Sequence, residues 1–492
     1  MTAEEKTAAD QEKADDIARF TKYYDKVGNI PLVKSRGRVK DIVGLAIVSE
    51  GPVCNFGDIC RIDISSGRSI DAEVVGFYNK DIMLMPIGPL EGITPGCPVY
   101  SSGQPLSVMC SERLLGSVLN GVGKPLDGSA LDFYVPPIPV IREASNALER
   151  KRIREPIQTG VKVIDSILTV GKGQRLAIMS AAGVGKSTLL SMVARNTEAQ
   201  VTVIALVGER RREVLDFIER DLGPEGLKRS IVVVATSDDP PMVRVRAAFT
   251  ATTIAEYFRE QGADVMFLCD SLTRLAYAQR EIGLSAGQPP TTRGYPPSVF
   301  DMLPKLLERT GNSAKGTITA FYNVLVEGDD LDEPITDAVR GIVDGHIVLS
   351  RELAAQGHYP AVDVNASISR LASEVTSPLH NKAANRLRQL YANYNSVKDL
   401  IMIGGYVKGS SPEVDEAIRL KPKMDAFLEQ AVFEPSPFNE TKRELLSLFY
   451  APAEVAREMQ DEGAAEAERR VDTAGDTDAA VLVSDDIGQV VL

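Results

Sequence analysis

A chain of 492 residues with 44% apolar and 25% charged side chains and no Trp is too long for one ordinary core. It calls for two to four domains of an Ala/Val/Leu/Ile-rich α/β enzyme rather than a secreted β-sandwich. The formal charge of −13 argues against a sequence-independent grip on nucleic acid, which needs a basic surface.

Eleven acidic against three basic residues between Ala453 and Leu492 carry most of that imbalance, so the folded body is only mildly acidic. The N-terminus, MTAEEKTAADQEKADD, is charged where a signal peptide needs an apolar stretch. No later run reaches the roughly 18 apolar residues of a membrane span, and a cytoplasmic protein is expected. The five cysteines form no C-x-x-C pair and the three histidines are widely separated. Free, mostly buried thiols and no structural metal cluster are the expectation.

Residues 1–27 read as a polar extension ending in a short amphipathic helix, with Ile17, Phe20, Tyr23 and Tyr24 near one face. A docking role and simple packing on the same chain both remain open. Residues 28–110 carry short β-like runs such as GRVKDIVGLAIVS and DICRIDI, punctuated by Gly, Pro, Asn and Asp. That spacing predicts a small β-barrel or sandwich acting as a scaffold. Within 111–379 the runs RLAIMS, VTVIALVG, IVVVATS, DVMFLCD and TITAFYNVL are nearly continuously apolar and separated by helix-length segments. This is the pattern of a mainly parallel sheet buried on both faces. Residues 380–452 read as a helical C-terminal domain, and the Ala/Glu/Asp-rich tail 453–492 as disordered.

The strongest chemical signal is Ser180-Ala-Ala-Gly-Val-Gly-Lys-Ser187, between the strand RLAIMS and the helical run KSTLLSMVAR. Strand, Gly-rich loop and helix in that order make a phosphate loop. Gly183, Val184 and Gly185 would close on phosphate oxygens, Lys186 would reach the β- and γ-phosphates, and Ser187 and Thr188 would open the helix, with the Ser187 hydroxyl on Mg²⁺. The strict pattern begins with Gly where Ser180 stands, and a small residue still permits the turn. Asp270, ending the strand DVMFLCD, is the expected holder of Mg²⁺ through water. Glu209, in Gly208-Glu209-Arg210-Arg211-Arg212-Glu213, is the candidate for orienting the attacking water, with Arg210 near the phosphates. Arg212 and Arg211 read better as a solvated charge run.

Residues from about Gly37 to Phe449 resemble the catalytic subunit of rotary-type ATPases and, more closely, the flagellum-specific and type III secretion ATPases. The resemblance is carried by GVKVIDSILTVGKGQR, VGERRREV, CDSLTRLAYAQREIGLSAGQPPTTRGYPPSVF, DGHIVLSRELAAQGHYPAVDVNASISR and IGGYVKGSSPEVDEAI. It implies a small N-terminal β-barrel, a RecA-like ATP-binding core and a C-terminal helical domain. By that resemblance the catalytic glutamate falls on Glu209, its neighbouring arginine on Arg210 and a further acid near the water on Glu213. The strand-end aspartate falls on Asp270, with Arg274 close behind it. The aromatic on adenine falls on Tyr359, and the arginine finger given to the neighbouring subunit falls on Arg370. Their residue types alone suggest core packing for Tyr359 and surface pairing for Arg370. Phe433 is a second candidate wall for the adenine.

One chain carrying both Glu209 and Arg370 can be donor and acceptor in a head-to-tail ring, so a homohexamer is expected. The resemblance further implies regulator and stalk proteins, chaperone–substrate complexes and peripheral contact with a membrane export gate. A flagellar system is preferred over a virulence injectisome on IMLMPIG, EGITPGCPVY and LLGSVLNGVGKPLDG. Three functions are less favoured: a rotary ATP synthase subunit, a ring RNA helicase and a non-hydrolysing structural subunit. The helicase would need a basic, aromatic-rich barrel that residues 28–110 do not provide.

Overall fold

The computed structural model describes residues 35–64, 67–326, 330 and 332–461. The amphipathic segment around Ile17–Tyr24 and the tail beyond residue 461 lie outside them. The chain divides into two compact units, one through Leu106 and one from Ser107 onward.

In the first unit, β1 (Arg36–Val43), β2 (Ala46–Glu50), β3 (Asp58–Asp63), β4 (Ser69–Tyr78), β5 (Asp81–Pro86) and β6 (Pro98–Pro105) close into a barrel of order β1-β2-β5-β4-β3-β6. Every pairing is antiparallel. Alternating side chains such as Val39, Ile47, Ile62, Val74, Leu84 and Val99 fill the interior, which is why the sequence shows short strands of period two. The barrel expected from the sequence is present.

In the second unit, β7 (Ser107–Val108) and β9 (Ile138–Pro139) form a small ribbon. The main sheet is built from β8 (Val118–Asn120), β10 (Arg175–Ser180), β11 (Val201–Glu209), β12 (Ser230–Thr236), β13 (Asp264–Asp270), β14 (Thr317–Leu325), β15 (Gly345–Val348) and β16 (Ile368–Ser369). Its order is β16-β15-β10-β14-β13-β11-β12-β8, parallel except for the edge strand β16. All nine residues of β11 are buried, because helices cover both faces, so the strand has no polar alternation. The chain crosses from β10 over β14 and β13 to β11. This leaves the carboxyl ends of β10, β11, β13 and β14 at one rim, the usual place for a ligand in such a sheet.

The helices Pro378–Met402, Pro412–Leu428 and Phe438–Ser447 follow the sheet. Leu387, Leu420 and Leu445 belong to the same apolar core as Leu176, Ile204 and Leu268. The C-terminal helices therefore share the nucleotide core's interior instead of enclosing one of their own. The first residues of the segment read as an acidic tail are ordered. Residues 452–461 are helical, Val455 is buried, and Glu458 pairs at 3.2 Å with the buried Lys442. An acidic, Ala-rich sequence becomes ordered here because one apolar side chain and one buried cation hold it.

Candidate functional site

Strand β10 ends at Ser180, and the next helix begins at Lys186 (Lys186–Asn196). Between them the backbone takes positive φ at Gly183 (81°) and at the cap Gly185 (98°), a conformation that side-chain-bearing residues rarely adopt. The loop thus directs helix N-terminal N–H groups outward, where they favour an anion. Val184 is buried and anchors the loop. Ser187 and Thr188 lie in the first turn, partly exposed.

Lys186 Nζ lies 2.9 Å from Asp270 Oδ1 and 3.5 Å from Glu209 Oε1. Glu209 Oε2 is 2.8 Å from Arg274 Nη1, which also donates to the Gly208 carbonyl. The sheet register explains this meeting, since β11 and β13 are neighbours whose ends carry the two carboxylates. A bulge between Val207 and Glu209 shifts the register against β12. At that bulge Gly208 has a φ of 72°, and a Cβ there would come within 3.0 Å of the Arg274 side chain.

Burial first, then the Glu213 hydrogen bond and the Asp270 charge, push the Glu209 carboxyl up to about 8, against the pull of Lys186 and Arg274. Glu213 is held below its ordinary value, chiefly by its hydrogen bond with Glu209. Ser187, Asp270, Glu209 and Glu213 line one cavity of about 100 Å³. A Ser hydroxyl and a carboxylate around such a space are hard oxygen donors that suit a dication keeping much of its water.

Tyr359 is half exposed, and its ring carbons lie 3.7 and 3.8 Å from where a Cβ on Gly185 would stand. It borders a cleft of about 460 Å³ shared with Lys162, Gln430 and Ala431. Phe433 is exposed, with the Arg195 guanidinium 4.7 Å from its ring centre. Arg370 follows the edge strand β16. Its guanidinium donates to the carbonyls of Val343 (3.2 Å) and Arg340 (3.3 Å) and remains exposed. Arg210 points to solvent, 3.9 Å from Glu213, so Arg274 is the arginine in contact with Glu209. Asn323 does not stand out in the sequence, yet its Nδ2 donates to Asp270 Oδ1 at 2.7 Å.

A phosphate loop beside a lysine and two strand-end carboxylates, on a mainly parallel sheet, defines a P-loop nucleotide-hydrolysing enzyme. The ATP synthase alpha/beta family, nucleotide-binding domain, matches residues 160–369, and the T3SS EscN ATPase C-terminal domain matches residues 376–447. The chain is 54% identical to the "Flagellum-specific ATP synthase" of Bacillus subtilis (strain 168), over 84% of this chain and 95% of that protein. To the "Type 3 secretion system ATPase" of Xanthomonas euvesicatoria it is 47% identical, over 84% and 93%. Among solved structures, the assembled ATPase EscN in complex with its central stalk EscO, from the enteropathogenic E. coli type III secretion system, superposes with a TM-score of 0.77. That match is at 40% identity and covers 84% of this chain and 99% of EscN. The chain belongs to the family of flagellum-specific ATP synthases and type 3 secretion system ATPases, and it is an ATP-hydrolysing enzyme. Among the described residues no helix is long and apolar enough to cross a membrane.

Proposed function

We propose that this chain couples ATP hydrolysis to chaperone release and unfolding of substrates for flagellar type III export, working as a homohexameric ring on a stalk protein. The observation that carries the reading is the meeting of Lys186, Glu209 and Asp270 within 3.5 Å at the carboxyl ends of the sheet strands. The higher identity to the flagellar relative than to the secretion-system relative supports the flagellar assignment over an injectisome. The ring and its stalk are inferred by analogy with assembled EscN and EscO. The chaperone and membrane-gate contacts, and a place at the inner face of the cytoplasmic membrane, follow from the same assignment.

In this reading the Gly183–Gly185 backbone cradles the phosphates and Lys186 turns from Asp270 to the β- and γ-phosphates. Ser187 and Asp270 would hold Mg²⁺, Asp270 through water, and the ion when bound would neutralise phosphate charge. Glu209 orients and polarises the attacking water, Arg274 fixes its carboxyl, and Arg210 stands at the exposed rim. Tyr359 stacks on adenine. Arg370, at a sheet edge, serves the neighbouring subunit's phosphates, a contribution of ~10³–10⁵ in rate for such arginines.

The test is complementation in trans between Glu209→Gln and Arg370→Ala. Each variant alone should be nearly inactive. Mixed before assembly, they should recover a measurable fraction of turnover, because some interfaces pair an intact Glu209 with an intact Arg370. Mixed rings that form but stay inactive would contradict the shared site.

A further inference from the structure

Strand β14 reads TITAFYNVL, and its one amide side chain, Asn323, is fully buried between Tyr322 and Val324, themselves buried. An apolar residue would fill that position without cost, whereas a buried amide must be partnered. The Nδ2 atom is partnered at 2.7 Å by Asp270 Oδ1, while the Asn323 Oδ1 atom has no hydrogen-bond partner. A carboxylate only accepts, so the amide must turn its NH₂ toward Asp270. Packing therefore does not account for the residue, but the bond to Asp270 does.

The oxygen that Asn323 engages is the same one that Lys186 Nζ approaches at 2.9 Å. Lysine and asparagine thus both hydrogen-bond Oδ1. The two donors differ in what they can do next. Lys186 closes a phosphate loop on a long side chain that rotates about four bonds, whereas Asn323 is short and held in the sheet beside β13. When Lys186 leaves for the phosphates, Asp270 loses a counter-charge while Glu209 remains close by in the same buried site. The amide stays. It supplies a hydrogen bond that fixes the carboxylate's position and, being neutral, adds no charge to compete with a dication.

We propose that Asn323 is a positioning residue that holds Asp270 through Oδ1, so that the carboxylate keeps its place with Oδ2 free for the Mg²⁺ waters once Lys186 engages the nucleotide. This rests on the assignment of Ser187 and Asp270 to Mg²⁺. Replacing the amide leaves the phosphate loop intact, so its effect should fall on metal-dependent binding and not on nucleotide binding as such.

The experiment uses the purified full chain and a fluorescent ATP analogue, with binding measured in EDTA and then along a Mg²⁺ titration. Asn323→Leu, similar in volume and without a donor, should bind the analogue in EDTA within about twofold of wild type. Its Mg²⁺ midpoint should rise by about tenfold, the scale of losing a partner of a metal-side carboxylate. An unchanged midpoint would overturn the proposal. So would an equal loss of binding with and without metal, which is the mark of a structural role. If Asn323→Leu does not fold, Asn323→Ala carries the same expectations. A wild-type protein whose binding ignores Mg²⁺ would instead refute the assignment of Ser187 and Asp270, and the proposal with it.

Discussion

Replacing Glu209 with Gln changes almost nothing except the chemistry. The side chain is 5% exposed, its Oε2 lies 2.8 Å from Arg274 and its Oε1 3.5 Å from Lys186. Burial lifts the carboxyl to about 8, so the site already favours a neutral side chain, and an uncharged amide of the same shape fits it at little cost in stability. Arg274 keeps its bond to the Gly208 carbonyl. The fold should therefore hold, with unfolding within about 1 kcal/mol of wild type, an ordinary value for an isosteric swap. What is lost is the ionised carboxylate, the form of Glu209 able to take a proton from water. Such groups contribute ~10²–10⁴ in rate, about 3–5 kcal/mol of barrier. Phosphate release at saturating ATP and Mg²⁺ should fall by that factor while binding of a fluorescent ATP analogue stays within a few-fold. A folded Glu209→Gln protein that turns over within about threefold of wild type would refute the role of Glu209.

Tyr359→Ala should weaken nucleotide binding by the ~1–3 kcal/mol of a base–aromatic stack. It should raise KM far more than it lowers kcat, which steady-state kinetics will separate. Asp165 offers a stability test away from the chemistry. It is fully buried under the hydrogen bonds of Thr159 and Gly160, and burial raises its carboxyl from 3.8 to about 7. Its stabilising contribution is whole below 3.8, where the carboxyl is protonated in both states, and is lost as pH rises toward 7. The cost across that window is roughly 3–5 kcal/mol. Urea unfolding of Asp165→Asn should lose much of the wild-type decline between about pH 5 and 7, and parallel pH profiles would disprove the assignment.

The phosphate loop, Asp270 and Glu209 are legible because each sits where a near-continuous apolar strand stops, and in a parallel sheet those stops share one rim. The roles proposed for Tyr359 and Arg370 do not follow from residue type. A Tyr before Pro and an Arg after a short strand look like packing and surface pairing, and only the surrounding segment marks them out. Arg210 and Arg274 show what a linear reading lacks. Arg210 is next to Glu209 in sequence, but chain direction at the strand end sends it to solvent, and Arg274 reaches Glu209 from the helix after β13. Asn323 looks like a flaw in an apolar run. Its meaning depends on the β13–β14 register, in which Cys269 faces Tyr322 and Asp270 comes beside Asn323. The helical order of residues 452–461 escapes the sequence for a similar reason, since local composition does not reveal a distant buried Lys442.

The most direct test of the account is filament assembly, scored by electron microscopy and motility, in the source bacterium carrying Glu209→Gln in place of the wild-type residue. Near-complete loss of filaments with the protein present at its normal level is the predicted result. Normal filaments and swimming would contradict hydrolysis-driven flagellar export by this chain.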